Sequence, residues 1–146
     1  MVPLIVIAVG VLAAGLISWN AAVLRRFKND YRFEGQFHGQ RYDCVIRFAN
    51  LDHGMRCFLG ADATALFLLA ATKRKTSWWG YVRDAHAIFK TDLRIPWSDT
   101  AWKEKRIFLS DYVWFEIPSK KIYFYAPKDV GEKLLIDGQR KISSAT

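Results

Sequence analysis

With 146 residues, 51 % of them hydrophobic, and a formal net charge of +8, the chain suits one small domain beside a membrane segment. No internal repeat or low-complexity stretch occurs. Its two cysteines and three scattered histidines supply no metal site at ligand spacing.

Residues 2–24 are almost uniformly apolar and carry no ionisable side chain, and Arg25, Arg26 and Lys28 follow at once. At about 1.5 Å per residue such a helix reaches roughly 34 Å, enough to cross a hydrocarbon core of about 30 Å. A cleavable signal peptide would carry its positive charge before the run, whereas the basic cluster here comes after it. A buried core helix is disfavoured because no polar stripe interrupts the run. The expectation is a single N-terminal transmembrane α-helix that is not cleaved, with Trp19 at headgroup depth and Arg25, Arg26 and Lys28 flanking the membrane. The positive-inside bias then predicts a single-pass protein of the cell inner membrane, N-terminus out and C-terminal domain cytoplasmic. Gly10, Ala14 and Ser18 repeat at the four-residue spacing that lets two membrane helices approach, so a homodimer through the anchor is one candidate assembly. Small residues are also simply common in such helices.

Residues 25–42 read as a juxtamembrane segment, in part a helical extension or a short separate helix. From residue 43 the pattern turns to strands. Cys44, Ile46 and Phe48 alternate with Val45 and Arg47, residues 50–54 read as a turn, and Met55, Cys57 and Leu59 alternate again. Residues 61–64 are a second turn and 65–70 a third strand, with a buried helix over 65–72 as the alternative. Leu93-Arg-Ile-Pro-Trp97 reads as a fourth strand. Stretches 106–109, 112–117 and 121–125, split by Ser110-Asp111 and by Pro118-Ser119-Lys120, predict an antiparallel meander. Beyond Pro127, Asp129 as N-cap with Glu132 three residues on predicts a C-terminal helix that Gly138 weakens. The tail 142–146 should fray. This makes a mainly-β soluble domain over 43–141, with about seven strands and one helix in two packed layers.

Two short segments, Gly60-Ala-Asp-Ala-Thr-Ala-Leu-Phe-Leu68 and Leu93-Arg-Ile-Pro-Trp-Ser-Asp99, carry a resemblance. They are similar to the "glyl" and "IPW" strands of small membrane-anchored bacterial proteins with a PH-like, GRAM-like domain. The likeness covers roughly residues 43–137. Ala65 stands where that pattern usually has Gly, and the connection between the two segments is longer here. The resemblance implies a PH-like antiparallel sandwich or barrel closed by a C-terminal helix. It implies a binding or scaffolding module rather than a catalyst, and no particular ligand.

No phosphate loop, nucleophile elbow or HExxH motif occurs, so neither an enzyme nor a cofactor is expected. His38, His53 and His86 read as solvated surface histidines, and Asp92 and Asp99 as turn residues. Cys44 and Cys57 read as small buried hydrophobes in a reducing cytoplasm. On the other side of a membrane, a hairpin could bring them into a disulfide.

The distinctive chemical feature is Lys73, Arg74 and Lys75 running into Trp78, Trp79, Tyr81 and Arg83. Cations attract anionic headgroups, and indole and phenol rings favour the lipid–water boundary, so this loop is the candidate lipid- or partner-binding site. The alternatives are that the tryptophans fill the core, or that the loop is a protein-binding patch. Lys103, Lys105 and Arg106 add further positive charge. The expected partners are membrane lipids or a protein at the bilayer rather than nucleic acid, since no nucleic-acid signature accompanies the charge. A structural subunit of a larger membrane complex is the second functional expectation.

Overall fold

The computed structural model describes residues 2–48, 54–71 and 90–141, with the side chains of 2–4, 6, 16–21 and 54 outside that set. The chain divides into two compact units, Met1–Asp30 and Tyr31–Thr146.

The first unit is one helix, α1, over Val2–Asp30. Pro3 falls in its first turn, where the missing N–H breaks no hydrogen bond. The helix runs through the basic cluster, with Lys28 in its last turn. Along it Ile5, Ile7, Val9, Val11 and Leu12 are each 59–67 % exposed. At 100° per residue these five point to several sides of the helix, so no single stripe gathers them. Among the described residues no helix is long and apolar enough to cross a membrane. The spanning helix expected over 2–24 is therefore not established by the fold, since within that stretch the described side chains are only 5, 7–15 and 22–24.

The second unit is built on a curled, seven-stranded antiparallel sheet. Its strands are β1 (Tyr42–Phe48), β2 (Gly54–Ala61), β3 (Ala65–Ala70), β4 (Leu93–Pro96), β5 (Ala101–Ile107), β6 (Ser110–Ile117) and β7 (Ile122–Pro127). Their spatial order is β4-β3-β2-β1-β7-β6-β5, so two meanders meet where β1 pairs with β7. Seven strands form, as expected in number, but the one expected over 106–109 is Ala101–Ile107, and its turn to the next strand falls at 108–109 instead of Ser110-Asp111. The helical alternative is excluded over 65–70, because β3 lies between β2 and β4, with 66–70 paired to β2 and 65–68 to β4.

Alternation divides the sheet into two faces. The inner face carries Ile46, Leu59, Leu68, Ile95, Phe115 and Phe124, all essentially without exposure. The C-terminal helix α2 (Lys128–Asp137) packs there against β6, β2 and β7, burying Val130, Leu134 and Leu135. Gly131 lets it approach closely, because a Cβ at that position would collide with the Val113 side chain. The helix starts one residue before the expected N-cap. Pro127 occupies that position without a side-chain cap, Asp129 lies inside the first turn, and the Asp129–Glu132 capping box does not form. Lys128 instead reaches Glu104 at 3.4 Å and Glu132 at 3.6 Å.

The outer face has two halves. Over β2 and β3 it is covered by residues 31–41. Phe33 N–H donates to the Asp92 carbonyl (2.9 Å), Arg94 N–H donates to the Tyr31 carbonyl (2.8 Å), and Arg32 bridges Leu93. Phe37 and Phe33 then lie on Phe67, with ring centroids 4.5 and 5.3 Å away. The stretch expected as a juxtamembrane segment is thus divided, 25–30 completing α1 and 31–41 forming part of the β domain. The two segments that carry the family resemblance are also neighbours. Trp97 donates its indole N–H to the Asp62 carbonyl at 2.7 Å, and its backbone N–H to the Thr64 carbonyl at 3.2 Å.

Candidate functional site

Lys73, Arg74, Lys75, Trp78, Trp79, Tyr81 and Arg83, the loop expected to bind lipid or a partner, lie outside the described residues. The side chain of Trp19 does also. Arg25 and Arg26 are exposed and Lys28 is half-buried on the last turns of α1. His38 is exposed, while His53 and His86 fall outside the described set.

The described residues hold a second basic–aromatic surface, on the half of the outer face that residues 31–41 leave free. Because side chains alternate along a strand, burying Val113, Phe115 and Phe124 inward turns Tyr112, Trp114, Tyr123 and Tyr125 outward. Strand register lines them into rows. Lys103 faces Trp114, Trp114 faces Tyr125, and Tyr125 faces Arg47, so one row crosses four strands with a cation at each end. Beside it, Lys105 faces Tyr112 and Tyr112 faces Pro127.

The rings form a continuous layer. Trp114 stacks on Tyr123 with centroids 4.6 Å apart and planes 17° from parallel, and on Tyr125 at 5.8 Å and 13°. Tyr112 meets Tyr125 edge-on at 5.1 Å. The Lys105 ammonium sits 4.1 Å from the Trp114 ring centroid and that of Lys103 5.9 Å. Cation–π contacts of this exposed kind contribute about 0.5–1 kcal/mol each, which biases the ammonium groups toward the ring layer. The surface offers cations to an anionic group and a stacked aromatic floor to whatever is attached to it. Arg106 does not join it. It projects from the opposite face beside Asp111, at 3.7 Å.

The reactive side chains elsewhere have structural roles. Asp92 accepts the Ala70 N–H at 2.6 Å, and Asp99 accepts the Tyr31 hydroxyl at 3.0 Å. Cys44 and Cys57 face each other across β1 and β2, both buried and both free. Their mutual hydrogen bond, with burial second, pushes the Cys57 thiol well above its ordinary range. A thiol so held is a poor nucleophile and a poor metal ligand. Lys103 and Lys105 were legible in the sequence as charge. The ring layer was not singled out there, although the period-two spacing of Tyr112 with Trp114 and of Tyr123 with Tyr125 is its signal. Comparison with family models, with curated proteins and with solved structures finds no match for this chain.

Proposed function

We propose that this chain is a membrane-tethered, non-catalytic binding or scaffolding module. Its β domain, read as PH-like, engages anionic lipid or a protein partner next to the bilayer. The observation that carries the reading is the row Lys103–Trp114–Tyr125–Arg47 with Lys105 above its tryptophan, an open surface that pairs positive charge with stacked rings. Two meanders joined through β1 and β7, closed by a C-terminal helix, support the PH-like reading. The tether is residues 2–24, along which Ile5, Ile7, Val9, Val11 and Leu12 are apolar and exposed. An apolar helix with no polar face is stable when lipid or protein surrounds it. The exposed Arg25 and Arg26 favour the orientation with the N-terminus out and the domain in the cytoplasm. Since 31–41 belongs to the β domain, that domain begins in the chain directly after the helix.

The test anchors the full chain in nanodiscs of neutral phosphatidylcholine and offers separate vesicles with or without phosphatidylserine. Anionic vesicles should co-float with the nanodiscs at low salt and less so as salt screens the lysines. Lys103→Glu/Lys105→Glu should abolish co-flotation. Equal capture of neutral vesicles, or none of either, defeats the lipid reading. A structural subunit of a membrane complex is the second reading. Nothing lies within 4 Å of a Cβ placed on Gly10, which leaves room for a neighbouring helix. Mild detergent extraction followed by size analysis separates the two, because a lone monomer or dimer rules the subunit out.

A further inference from the structure

The hairpin between β5 and β6 closes on two residues. Ile107 pairs with Ser110, and Phe108 and Leu109 alone span the turn. Phe108 is 95 % and Leu109 90 % exposed, and no other large hydrophobic residue described exceeds 69 %. Phe108 also has φ 55°, in the left-handed region. Positive φ at the first centre of a two-residue hairpin turn is where glycine is favoured, because a Cβ is disfavoured there. An exposed phenylalanine in that place gains nothing from the domain core, yet bears the backbone conformation that suits it least. Strain of this kind is found where a side chain is presented to something outside the fold.

The surroundings indicate what that is. Lys103, Lys105 and Arg106 lead into the tip along β5. At about 3.3 Å per residue, Lys105 lies about 10 Å behind Phe108, a separation that suits a headgroup contact behind a buried tip. A protein partner on this scale needs a broad complementary face, on the order of 800 Å² per side. Two side chains on a convex tip are a wedge, and a fluid bilayer closes around a wedge without needing a matching surface. We propose that Phe108 and Leu109 insert into the acyl region of an anionic bilayer, with Lys105 and Lys103 on the phosphates behind them. This rests on the reading of the chain as a membrane-tethered module and gives its β domain a second point of contact.

The test uses the full chain in vesicles of phosphatidylcholine with phosphatidylserine. Phe108→Cys carries an environment-sensitive fluorophore, with labelling of the wild-type chain as the control for the buried Cys44 and Cys57. Nitroxide lipids labelled at the headgroup or along the acyl chain act as quenchers. Insertion gives a blue-shifted emission that acyl nitroxide quenches more strongly than headgroup nitroxide. With the fluorophore moved to Ser110→Cys, the added pair Phe108→Gly/Leu109→Ser should abolish acyl quenching. That pair should leave the unfolding midpoint no lower, since glycine suits the turn. Quenching by headgroup nitroxide alone overturns the wedge while the domain still lies on the lipid surface. A blue shift that neither nitroxide quenches overturns it in favour of a pocket in a second copy. Unquenched emission at the wavelength of water overturns the wedge and the lipid reading together.

Discussion

The carboxylate of Asp62 accepts three hydrogen bonds through one oxygen, from the Thr64 hydroxyl (2.6 Å), the Thr64 N–H (2.7 Å) and the Ala65 N–H (2.9 Å). It thereby sets the β2–β3 turn, on whose backbone carbonyls Trp97 docks. Partial burial pushes its acidity one way, but the Thr64 and Ala65 bonds together with Arg94 outweigh it and hold the carboxyl below its usual range. A carboxyl lowered in the folded state adds stability above its unfolded value, near 3.9, and that stability is lost as pH falls through the folded value. The urea midpoint of the wild-type chain should therefore fall more steeply below about pH 4 than that of Asp62→Asn. At neutral pH, Asp62→Ala should cost about 1 kcal/mol in the same measurement, since the carboxylate is exposed and its bonds are partly screened by water. Asp62→Asn, which keeps an acceptor oxygen, should cost less. This turn was legible because aspartate two residues before threonine is a local signal. The capping role expected of Asp129 was not met, because Pro127 opens the helix earlier and so places Asp129 within its first turn.

Strand alternation made β1, β2, β6 and β7 readable, because one face of each is buried. β3 is buried on both faces and was readable only as an apolar run between turns. The β5–β6 hairpin shows where such patterning fails. Ser110-Asp111 has turn-forming residues and Phe108-Leu109 has strand-forming ones, so the sequence placed the turn two residues late. The register of β5 on β6 then put apolar residues at the tip. The docking of 31–41 was also hidden, because Phe33 and Phe37 find their partners on β3, far along the chain. At Gly131 propensity and packing conflict outright. Alanine would favour the helix by up to about 1 kcal/mol. Its methyl would meet Val113 at the branched Cβ and Cγ2, which cannot turn aside without moving β6. Overpacking of this kind costs about 1–3 kcal/mol, so Gly131→Ala should lower stability in thermal or urea unfolding despite the better helix former. An unchanged or raised midpoint would show that α2 can slide on the sheet.

At the scale of the whole molecule, the proposed tethering raises the question of which side of the membrane the β domain would occupy, and the fold contains a reporter for it. Cys44 and Cys57 are directly opposed partners on β1 and β2. Opposed residues of an antiparallel pair have Cα atoms about 4.5–5.5 Å apart, inside the range that a disulfide spans. Both are free and buried, so the redox poise of the compartment in which the domain folds decides their state. In a reducing cytoplasm they stay thiols, and burial keeps them from later oxidation. In an oxidising compartment they would close into a bridge before the sheet covers them. Cells expressing the full chain can be lysed directly into denaturant with a thiol-alkylating reagent. If the domain is cytoplasmic, both cysteines are alkylated without prior reduction. Protection of both until a reductant is added would place the domain outside and reverse the orientation drawn from Arg25, Arg26 and Lys28. Cys44→Ser controls for a bridge between copies, since its single remaining thiol should then be alkylated in either compartment. The wedge and the ring surface depend on lipid chemistry and would serve on either face. The thiols therefore decide orientation independently of whether the domain binds lipid.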